Sequence, residues 1–286
     1  MSEANQPPPQ DEPTTRFTGP LAGWRRDFWR ALGFFTRLPV TAWTGDSGTG
    51  DSGTGDSRTG DSRTGTLGDA ARAFPLAGLV VGLAGALVYF VAVKIGLSGL
   101  LAALLAVAAT GIITGALHED GWADVCDALG ARGGIDQRLE ILRDSRLGTY
   151  GGLALIFATT IKVAAIANLG APELVAGALV AAHALARGVL PLVMSRMALA
   201  RGDGLAAGAG RPSQTAANWS LTLALLIAVI AVTPVAALVA LVAALAATWL
   251  IAKLAQHKFG GYTGDVLGAI EQVAEMAILI NLVTLT

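Results

Sequence analysis

The chain has 286 residues, of which 53% are hydrophobic and only 14% are charged, whereas soluble domains carry about 25% charged residues. Its net charge is -1, and no basic run or basic-aromatic alternation suggests a nucleic-acid partner. A single cysteine, Cys126, excludes an intrachain disulfide framework, and the apolar composition is typical of an integral membrane protein.

Three segments of different composition form the first quarter of the chain. Residues 1–23 are polar and proline-rich, which predicts a disordered tail without a cleavable signal peptide. Residues 24–43 place Trp, Phe and Leu on one helical face and arginines on the other. This pattern is typical of an interfacial amphipathic helix on an anionic membrane, or of a helix packed on the bundle. Residues 44–66 hold four tandem Thr-Gly-Asp-Ser pentapeptides, which predict a flexible low-complexity linker.

Seven apolar segments follow Pro75, and each approaches the roughly 20 residues that cross a bilayer as a helix. Gly78 and Gly82 in the first segment have the spacing that allows close helix approach. Only a Ser-Gly pair separates the first two segments, and the fifth segment is short. A total of six or eight spans therefore also remains possible. Residues 67–286 are predicted to be an all-α, polytopic transmembrane bundle of about seven spans. The segments cover residues 76–97, 98–117, 152–170, 174–195, 218–232, 235–255 and 266–285.

The distribution of Lys and Arg predicts the orientation of this bundle. With the N-terminus inside, the inner segments hold 16 of the 20 basic residues, while the opposite loops hold at most Lys94. The bias predicts a multi-pass protein of the cell inner membrane with a cytoplasmic N-terminus and its polar motifs on the cytoplasmic face. The inner segments are residues 1–75, 118–151, 196–217 and 256–265.

The segment LHEDGWADVCDALG, residues 117–130, follows the second span and is the strongest candidate for chemistry. Asp120, Asp124 and Asp127 are spaced i, i+4 and i+7, so a helix places them on one face. Crowded carboxylates without intervening Lys or Arg favour an oxygen-binding divalent ion, Mg²⁺ or Mn²⁺, which would bind phosphate oxygens. A solvated acidic helix face is the alternative.

Two neighbours of the aspartates are further candidates. Glu119 points about 100° away from them and reaches the same ion only if the helix begins irregularly. His118 is a candidate acid, base or supporting group. Cys126 faces away from the aspartates and is expected to be a small buried apolar residue.

A charged turn, in the segment ILRDSRLGTYG, precedes the third span. Arg143, Ser145 and Arg146 come before Gly148, and this composition suits phosphate recognition through guanidinium groups and free backbone N–H groups. Anchoring of basic residues at the membrane edge explains the two arginines but not Asp144.

Ionisable residues also lie within or at the mouth of the apolar spans, where they are costly and need partners. Arg187 and Asp265 are predicted to contact substrate. The loop of residues 196–211 adds Asp203 and glycine-flanked arginines. The remaining intramembrane residues are Lys162, His183, Glu271 and Glu275, and the partners expected for the two glutamates are His183, Arg187 or a metal.

Five ordered motifs resemble the cobalamin synthase family, the adenosylcobinamide-GDP ribazoletransferases, over residues 27–286. The tail and the pentapeptide repeat depart from the family pattern, and the repeat stands where the family has a short connecting loop. The motifs are FFTRLPV (34–40), ARAFPLAGLVVG (71–82), TGALHEDGWADVCDALG (114–130), ILRDSRLGTYG (141–151) and GGYTGDVLGA (260–269).

The resemblance implies a Mg²⁺-dependent enzyme. It would transfer the adenosylcobinamide phosphoryl group from adenosylcobinamide-GDP to alpha-ribazole or its 5′-phosphate and release GMP. The other expected partners are membrane lipids, and the oligomeric state stays open, a homo-oligomer included. The predicted catalytic residues are Asp120, Asp124, Asp127, His118 and Asp144; the substrate-binding residues are Arg143, Arg146, Ser145, Gly148, Arg187 and Asp265; the metal ligands are Asp120, Asp124, Asp127 and Glu119.

Two other functions compete with this interpretation. A CDP-alcohol phosphotransferase is also a membrane enzyme with spaced aspartates, but its pattern continues from Asp-Gly to an arginine that is absent after Asp120. A small-solute transporter would use the intramembrane charges as an ion path, but it would not need so many motifs on one face.

The predicted orientation can be tested by cysteine labelling. Single cysteines in residues 196–217 and 256–265, introduced after Cys126 is replaced, should react with a membrane-impermeant reagent only from the cytoplasmic side, because the basic bias orients the spans. Labelling in intact cells and in inverted vesicles distinguishes the two sides. Reaction of an Asp265→Cys variant exclusively from the periplasm would overturn the topology.

Overall fold

The computed structural model describes residues 20–40 and 65–285, with side chains from residue 23 onward. This described part is helical and contains no strand, which confirms the predicted all-α class. The predicted tail up to residue 19 and the predicted linker between residues 41 and 64 lie outside it. The helices are α1 (Pro20–Phe35), a 3-10 helix (Gly68–Ala73), α2 (Phe74–Lys94), α3 (Gly99–Thr114), α4 (Leu117–Gly130), α5 (Ile135–Ile141), α6 (Thr149–Leu169), α7 (Pro172–Gly188), α8 (Leu190–Arg196), α9 (Leu205–Ala209), α10 (Gln214–Ala231), α11 (Pro234–Phe259) and α12 (Gly264–Val283).

Within the described ranges, six helical stretches are long and apolar enough to cross a membrane. Helices α3 and α4 make a seventh crossing when they are taken together, although they are bent by 92° at the break between them. The multi-pass bundle of about seven spans is therefore confirmed. The six stretches are Gly68–Lys94, Thr149–Leu169, Pro172–Arg196, Gln214–Ala231, Pro234–Phe259 and Gly264–Val283.

The predicted second span, residues 98–117, is broken near its C-terminal end. Helix α3 has 16 residues, which corresponds to about 24 Å, short of a bilayer core of roughly 30 Å. Gly115 and Ala116 then adopt left-handed conformations with φ of 65° and 55°. Ala116 is the one non-glycine residue with positive φ in the described part of the chain, at a cost of about 1–2 kcal/mol. Because of this break, the acidic helix α4 runs at a steep angle to the apolar helix α3 that precedes it.

Helix α1 begins inside the predicted tail, at Pro20, and ends at Phe35, earlier than predicted. Its Asp27 is buried and accepts a hydrogen bond from Arg72 Nε at 2.7 Å. The Arg72 guanidinium also lies 4.2 Å from the centroid of the Trp24 ring. These contacts pack one face of α1 on the bundle, and contact of its exposed face with the membrane stays a prediction.

Helix α7 forms the centre of the bundle and is almost entirely buried. Helices α2, α10 and α12 pack around it. Gly78 and Gly82 of α2 face α7, and a Cβ at Gly82 would lie 2.7 Å from the carbonyl oxygen of Leu179. The small-residue spacing predicted for close approach therefore lies in the α2–α7 interface.

A Gly82→Leu substitution should destabilise the bundle by about 1–3 kcal/mol or more, because its side chain would push α2 away from α7. The matched control is Gly111→Leu in α3, where a Cβ meets no atom within 4 Å. Thermal unfolding in detergent measures both. Equal melting temperatures for the two variants would contradict the packing described for Gly82.

Candidate active site

Helix α4 carries the predicted acidic motif, and two glycines seat it against the start of α12. A Cβ at Gly121 would lie 2.8 Å from the carbonyl oxygen of Asp265, and one at Gly268 would lie 3.1 Å from that of His118. The two backbones therefore approach where larger residues would hold them apart. This crossing brings Asp265 to the aspartates of α4.

Four carboxylates gather at the crossing. Asp124 is half-buried and lies within electrostatic reach of Asp120, Asp127 and Asp265. Arg201 NH2 lies 3.5 Å from Asp265, but among the described residues no Lys or Arg pairs with Asp120 or Asp124. The cluster is thus rich in oxygen ligands and poor in cations, which suits a divalent ion.

Asp127 also has a structural role that its i, i+4, i+7 spacing with Asp120 and Asp124 does not predict. Its carboxylate accepts hydrogen bonds from the backbone N–H groups of Gly148 at 2.8 Å and Gly151 at 2.9 Å, so it caps the N-terminus of α6. A Cβ at either glycine would overlap this carboxylate. The N–H of Gly148, predicted to bind phosphate, therefore donates to Asp127. A metal-ligand role for Asp127 stays a prediction.

Glu119 faces the membrane interior, away from the aspartates. Its carboxylate lies 3.4 Å from the Lys162 ammonium and accepts a hydrogen bond from the Gln272 amide at 3.3 Å. Lys162 is itself buried, and it also donates to the Gln272 carbonyl at 3.0 Å and lies 3.6 Å from Glu275. Asp265 is therefore the carboxylate that lies with Asp120 and Asp124, and the metal-ligand role predicted for Glu119 stays a prediction.

Arg187 extends the same buried network. Its guanidinium lies 2.6 Å from Glu271 and approaches His183 Nδ1 at 3.1 Å and His118 Nδ1 at 3.4 Å. The expected partners of the glutamates are confirmed, because Arg187 pairs with Glu271 and His183 lies 3.8 Å from Glu275. Arg187 is only 1% exposed, and its contacts are protein side chains, whereas substrate contact was predicted for it.

The buried network also contains a compact set of possible metal ligands. His183, Glu271 and Glu275 place ligand atoms within 4.8 Å of one another, and no other such trio, the aspartates of α4 included, occurs in the described residues. Arg187 and Lys162 already bring two cations to these glutamates. The glutamates therefore have cationic partners in the protein, and a metal at this trio, the other expected partner, stays a prediction.

Three segments that are distant in sequence are joined by a chain of alternating charges. Arg143 lies 2.6 Å from Asp203, Asp203 lies 3.4 Å from Arg201, and Arg201 lies 3.5 Å from Asp265. Arg201 is one of the glycine-flanked arginines of the loop 196–211, and no role was assigned to it from the sequence. Its position beside Asp265 makes it the guanidinium nearest to the carboxylate cluster in this chain of charges.

The remaining residues of the charged turn are paired at the surface. Arg146 donates hydrogen bonds to both carboxylate oxygens of Asp144 at 2.5–3.0 Å. This pairing lowers the pKa of Asp144 to about 2, so Asp144 stays ionised near neutral pH and holds Arg146 in place. Ser145 is exposed beside them. The catalytic role predicted for Asp144 stays a prediction.

A cavity of about 280 Å³ opens beside Asp120, between α1, α4, α8, α9 and the start of α12. One end is polar, with Asp120, Arg201, Asp203 and Asp265. The opposite walls are apolar and aromatic. These walls include Phe34, Phe35, Phe74, Leu117, Leu190 and Met194, with His118 beside them. The three phenylalanines come from the motifs 34–40 and 71–82, to which no chemistry was assigned.

Comparison with known proteins identifies the family. Residues 27–283 match the family model of CobS, described as cobalamin-5-phosphate synthase. The chain is 47% identical to the adenosylcobinamide-GDP ribazoletransferase of Bradyrhizobium diazoefficiens, over 74% of this chain and 81% of that protein. It is 38% identical to the protein of the same name from Azorhizobium caulinodans, over 89% of this chain and 94% of the relative. The chain belongs to the cobalamin synthase family.

Membership of the cobalamin synthase family makes the protein a multi-pass membrane transferase of cobalamin biosynthesis. This separates it from the CDP-alcohol phosphotransferases and from transporters. No solved structure matches the chain. The family motifs meet in space, since residues 34–40 and 71–82 contribute the aromatic walls, 114–130 the acidic helix, 141–151 the charged turn and 260–269 the start of α12.

Breaking the buried network should destabilise the protein. An Arg187→Met substitution leaves Glu271 unpaired in the membrane interior and should cost about 3–5 kcal/mol, while Arg187→Met combined with Glu271→Met should recover part of that loss. Unfolding in detergent measures both, with the exposed Lys253→Met as control. A single Arg187→Met variant as stable as the unmodified protein would refute the network's role.

Proposed function

We propose that the protein transfers the adenosylcobinamide phosphoryl group from adenosylcobinamide-GDP to alpha-ribazole or its 5′-phosphate, with release of GMP. This is the nucleotide-loop assembly step of cobalamin biosynthesis. Relatives that are 38–47% identical to this chain over the aligned residues carry the name of that reaction. At the level of single residues, the proposal rests on the cluster of Asp120, Asp124 and Asp265. Asp120 and Asp265 of this cluster line a ligand-sized cavity.

The reaction is a displacement at phosphorus. A hydroxyl oxygen of the acceptor ribose attacks the phosphorus attached to cobinamide, and the bond from that phosphorus to the bridging oxygen of GMP breaks. GMP leaves with the bridging oxygen, and the hydroxyl proton is released. Negative charge gathers on the phosphate oxygens during this exchange, so catalysis depends on positioning and on compensation of that charge.

Mg²⁺ is proposed as the compensating ion, held by Asp120, Asp124 and Asp265. The fit rests on the donor set, because hard divalent cations prefer carboxylate oxygens and these carboxylates lie within electrostatic reach of one another with little cationic compensation. Bound there, Mg²⁺ would neutralise charge on the phosphate oxygens and orient them. Asp127 would help from the rim of the cluster while it holds the charged turn in place.

The guanidinium groups at the rim are proposed to receive the diphosphate. Arg143 and Arg146 are exposed and paired only with exposed or half-buried carboxylates, Asp203 and Asp144. Surface ion pairs of this kind are weak, so a diphosphate can replace the carboxylate without a large loss. Ser145 between them adds a hydroxyl donor.

The proposed location is the inner membrane, with the N-terminus and the active site on the cytoplasmic side. The support is the basic bias of the inner segments together with the polar nature of the GDP-linked donor and of GMP, which are cytoplasmic solutes. Bilayer lipids are proposed to cover the apolar side chains that the bundle leaves exposed, such as Leu87, Phe157 and Trp249.

An Asp124→Asn substitution should lower turnover by at least about 100-fold without loss of membrane insertion, because it removes a charge that holds the metal. The matched control is Asp136→Asn in α5, which is exposed and should retain activity. The assay follows GMP release from adenosylcobinamide-GDP, alpha-ribazole and Mg²⁺, with and without EDTA. Near-normal activity of Asp124→Asn, or indifference to EDTA, would remove the metal proposal.

A further inference from the structure

The apolar end of the cavity beside Asp120 offers no charged group that could bind a phosphate or a metal ion. We propose that it is the subsite for the planar aromatic base of the acceptor nucleoside, and that His118 Nε2 donates a hydrogen bond to the free ring nitrogen of that base. The inference rests on the proposed function, since it concerns the acceptor of that reaction.

The walls of the cavity suit a flat aromatic ring. Phe35 is the central element, with Phe34 and Phe74 edge-on to it at centroid distances of 5.1 and 4.8 Å. Met194 and Leu190 also line the cavity. Aromatic rings and methionine sulfur both favour contact with aromatic ligands.

The size of the cavity limits which part of the substrates can enter. Its volume is about 280 Å³, at the lower end of the roughly 300–1,000 Å³ typical of small-molecule sites. A corrin macrocycle is far too large for it and must stay outside. The candidates left are the two bases, the guanine of the donor and the benzimidazole of alpha-ribazole.

The chemistry of the walls favours the benzimidazole. Guanine carries a carbonyl, an amide N–H and an amino group on one edge, and the Phe, Leu and Met side chains offer none of them a partner. Burying those groups unpaired is costly. The dimethylbenzimidazole of alpha-ribazole has two methyl groups and a single free ring nitrogen, which is an acceptor, so it needs one donor only.

His118 supplies such a donor. Its Nδ1 lies 3.4 Å from Arg187 NH2, a guanidinium that can only donate, and 3.7 Å from the Glu271 carboxylate, which is beyond hydrogen-bond distance. We therefore assign Nδ1 as the acceptor and place the ring hydrogen on Nε2. Nε2 is buried and has no hydrogen-bond partner in the described part of the protein. His118 is stacked on Phe35 at 5.5 Å and lines the cavity. An acceptor nitrogen in the cavity would therefore satisfy an otherwise unpaired donor.

The polar end of the same cavity completes the placement. Asp120 and Asp265 line it together with Arg201. With the base among the phenylalanines, the attached ribose extends toward this end, where the phosphoryl group would be held. The subsite therefore aims the acceptor hydroxyl at the reacting phosphorus.

A cavity-filling substitution tests the location. Ala206 lines the cavity and is buried, so Ala206→Phe should raise the KM for alpha-ribazole on the order of 10-fold while the KM for adenosylcobinamide-GDP stays unchanged. Ala108→Phe on the exposed side of α3 is the matched control. A rise in the donor KM alone would place guanine in the cavity, and unchanged values for both would show that neither base enters; either result overturns the proposal.

A ligand substitution tests the hydrogen bond. The probe is the riboside of dimethylindole, in which a C–H replaces the free ring nitrogen of alpha-ribazole. The unmodified protein, purified without the donor, should bind alpha-ribazole on the order of 10-fold more tightly than the indole riboside by calorimetry. His118→Phe should bind the two equally, and His118→Gln, which retains an N–H donor, should restore part of the preference.

The outcomes separate the subsite from the reaction. An unchanged preference in His118→Phe, or a fall in kcat of that variant with an unchanged KM for alpha-ribazole, would overturn base recognition by His118 and favour proton transfer instead. A lack of GMP release by the unmodified protein would overturn the proposed function, whereas calorimetry tests the subsite without turnover. If His118→Phe does not fold, Ala206→Phe decides the location of the base.

Discussion

The ion pair between Arg187 and Glu271, 2.6 Å apart and both buried, is the contact on which the rest of this structure depends. Charges in a membrane interior are tolerated only when each has a partner, and removal of one partner exposes the other to the full cost of desolvation. The network around this pair continues through Lys162 and Gln272 to Glu119. It therefore joins α4, α6, α7 and α12 in one arrangement and leaves them little freedom to slide.

That arrangement divides helix α4 between two environments. Glu119 and His118 contact the buried network, while Asp120 and Asp124 belong to the carboxylate cluster with Asp265. The break at Gly115 and Ala116 makes this division geometrically feasible, because a straight continuation of α3 would not turn by 92°. The free-energy cost of the strain at Ala116 is small compared with the stabilisation from the ion pairs of the next turn, so the bend is retained.

The site also shows how polar and apolar substrates can meet at a membrane surface. Asp120, Asp203, Asp265 and Arg201 line the cavity, and the phenylalanines of the α1 and α2 motifs form other parts of its wall. Asp265 and Arg201 reach this place from parts of the chain that are distant from α4. A charged phosphate and an aromatic base could thus be bound a short distance apart without either entering the other's environment.

The sequence alone determined the helical class, the approximate number of spans, the acidic motif and the family, because these depend on local periodicity, composition and ordered motifs. It also indicated that Glu271 and Glu275 need partners, since an apolar span cannot hold an unpaired carboxylate. Only the tertiary structure decided that Asp265 lies beside the aspartates of α4, that Glu119 lies beside Lys162, that Asp127 caps α6, and that Arg187 pairs with Glu271. The physical reason is that these assignments depend on how helices cross. The crossing of α4 and α12 is set by the backbone contact at Gly121 and by an internal break, and neither can be read from the spacing of side chains along one helix.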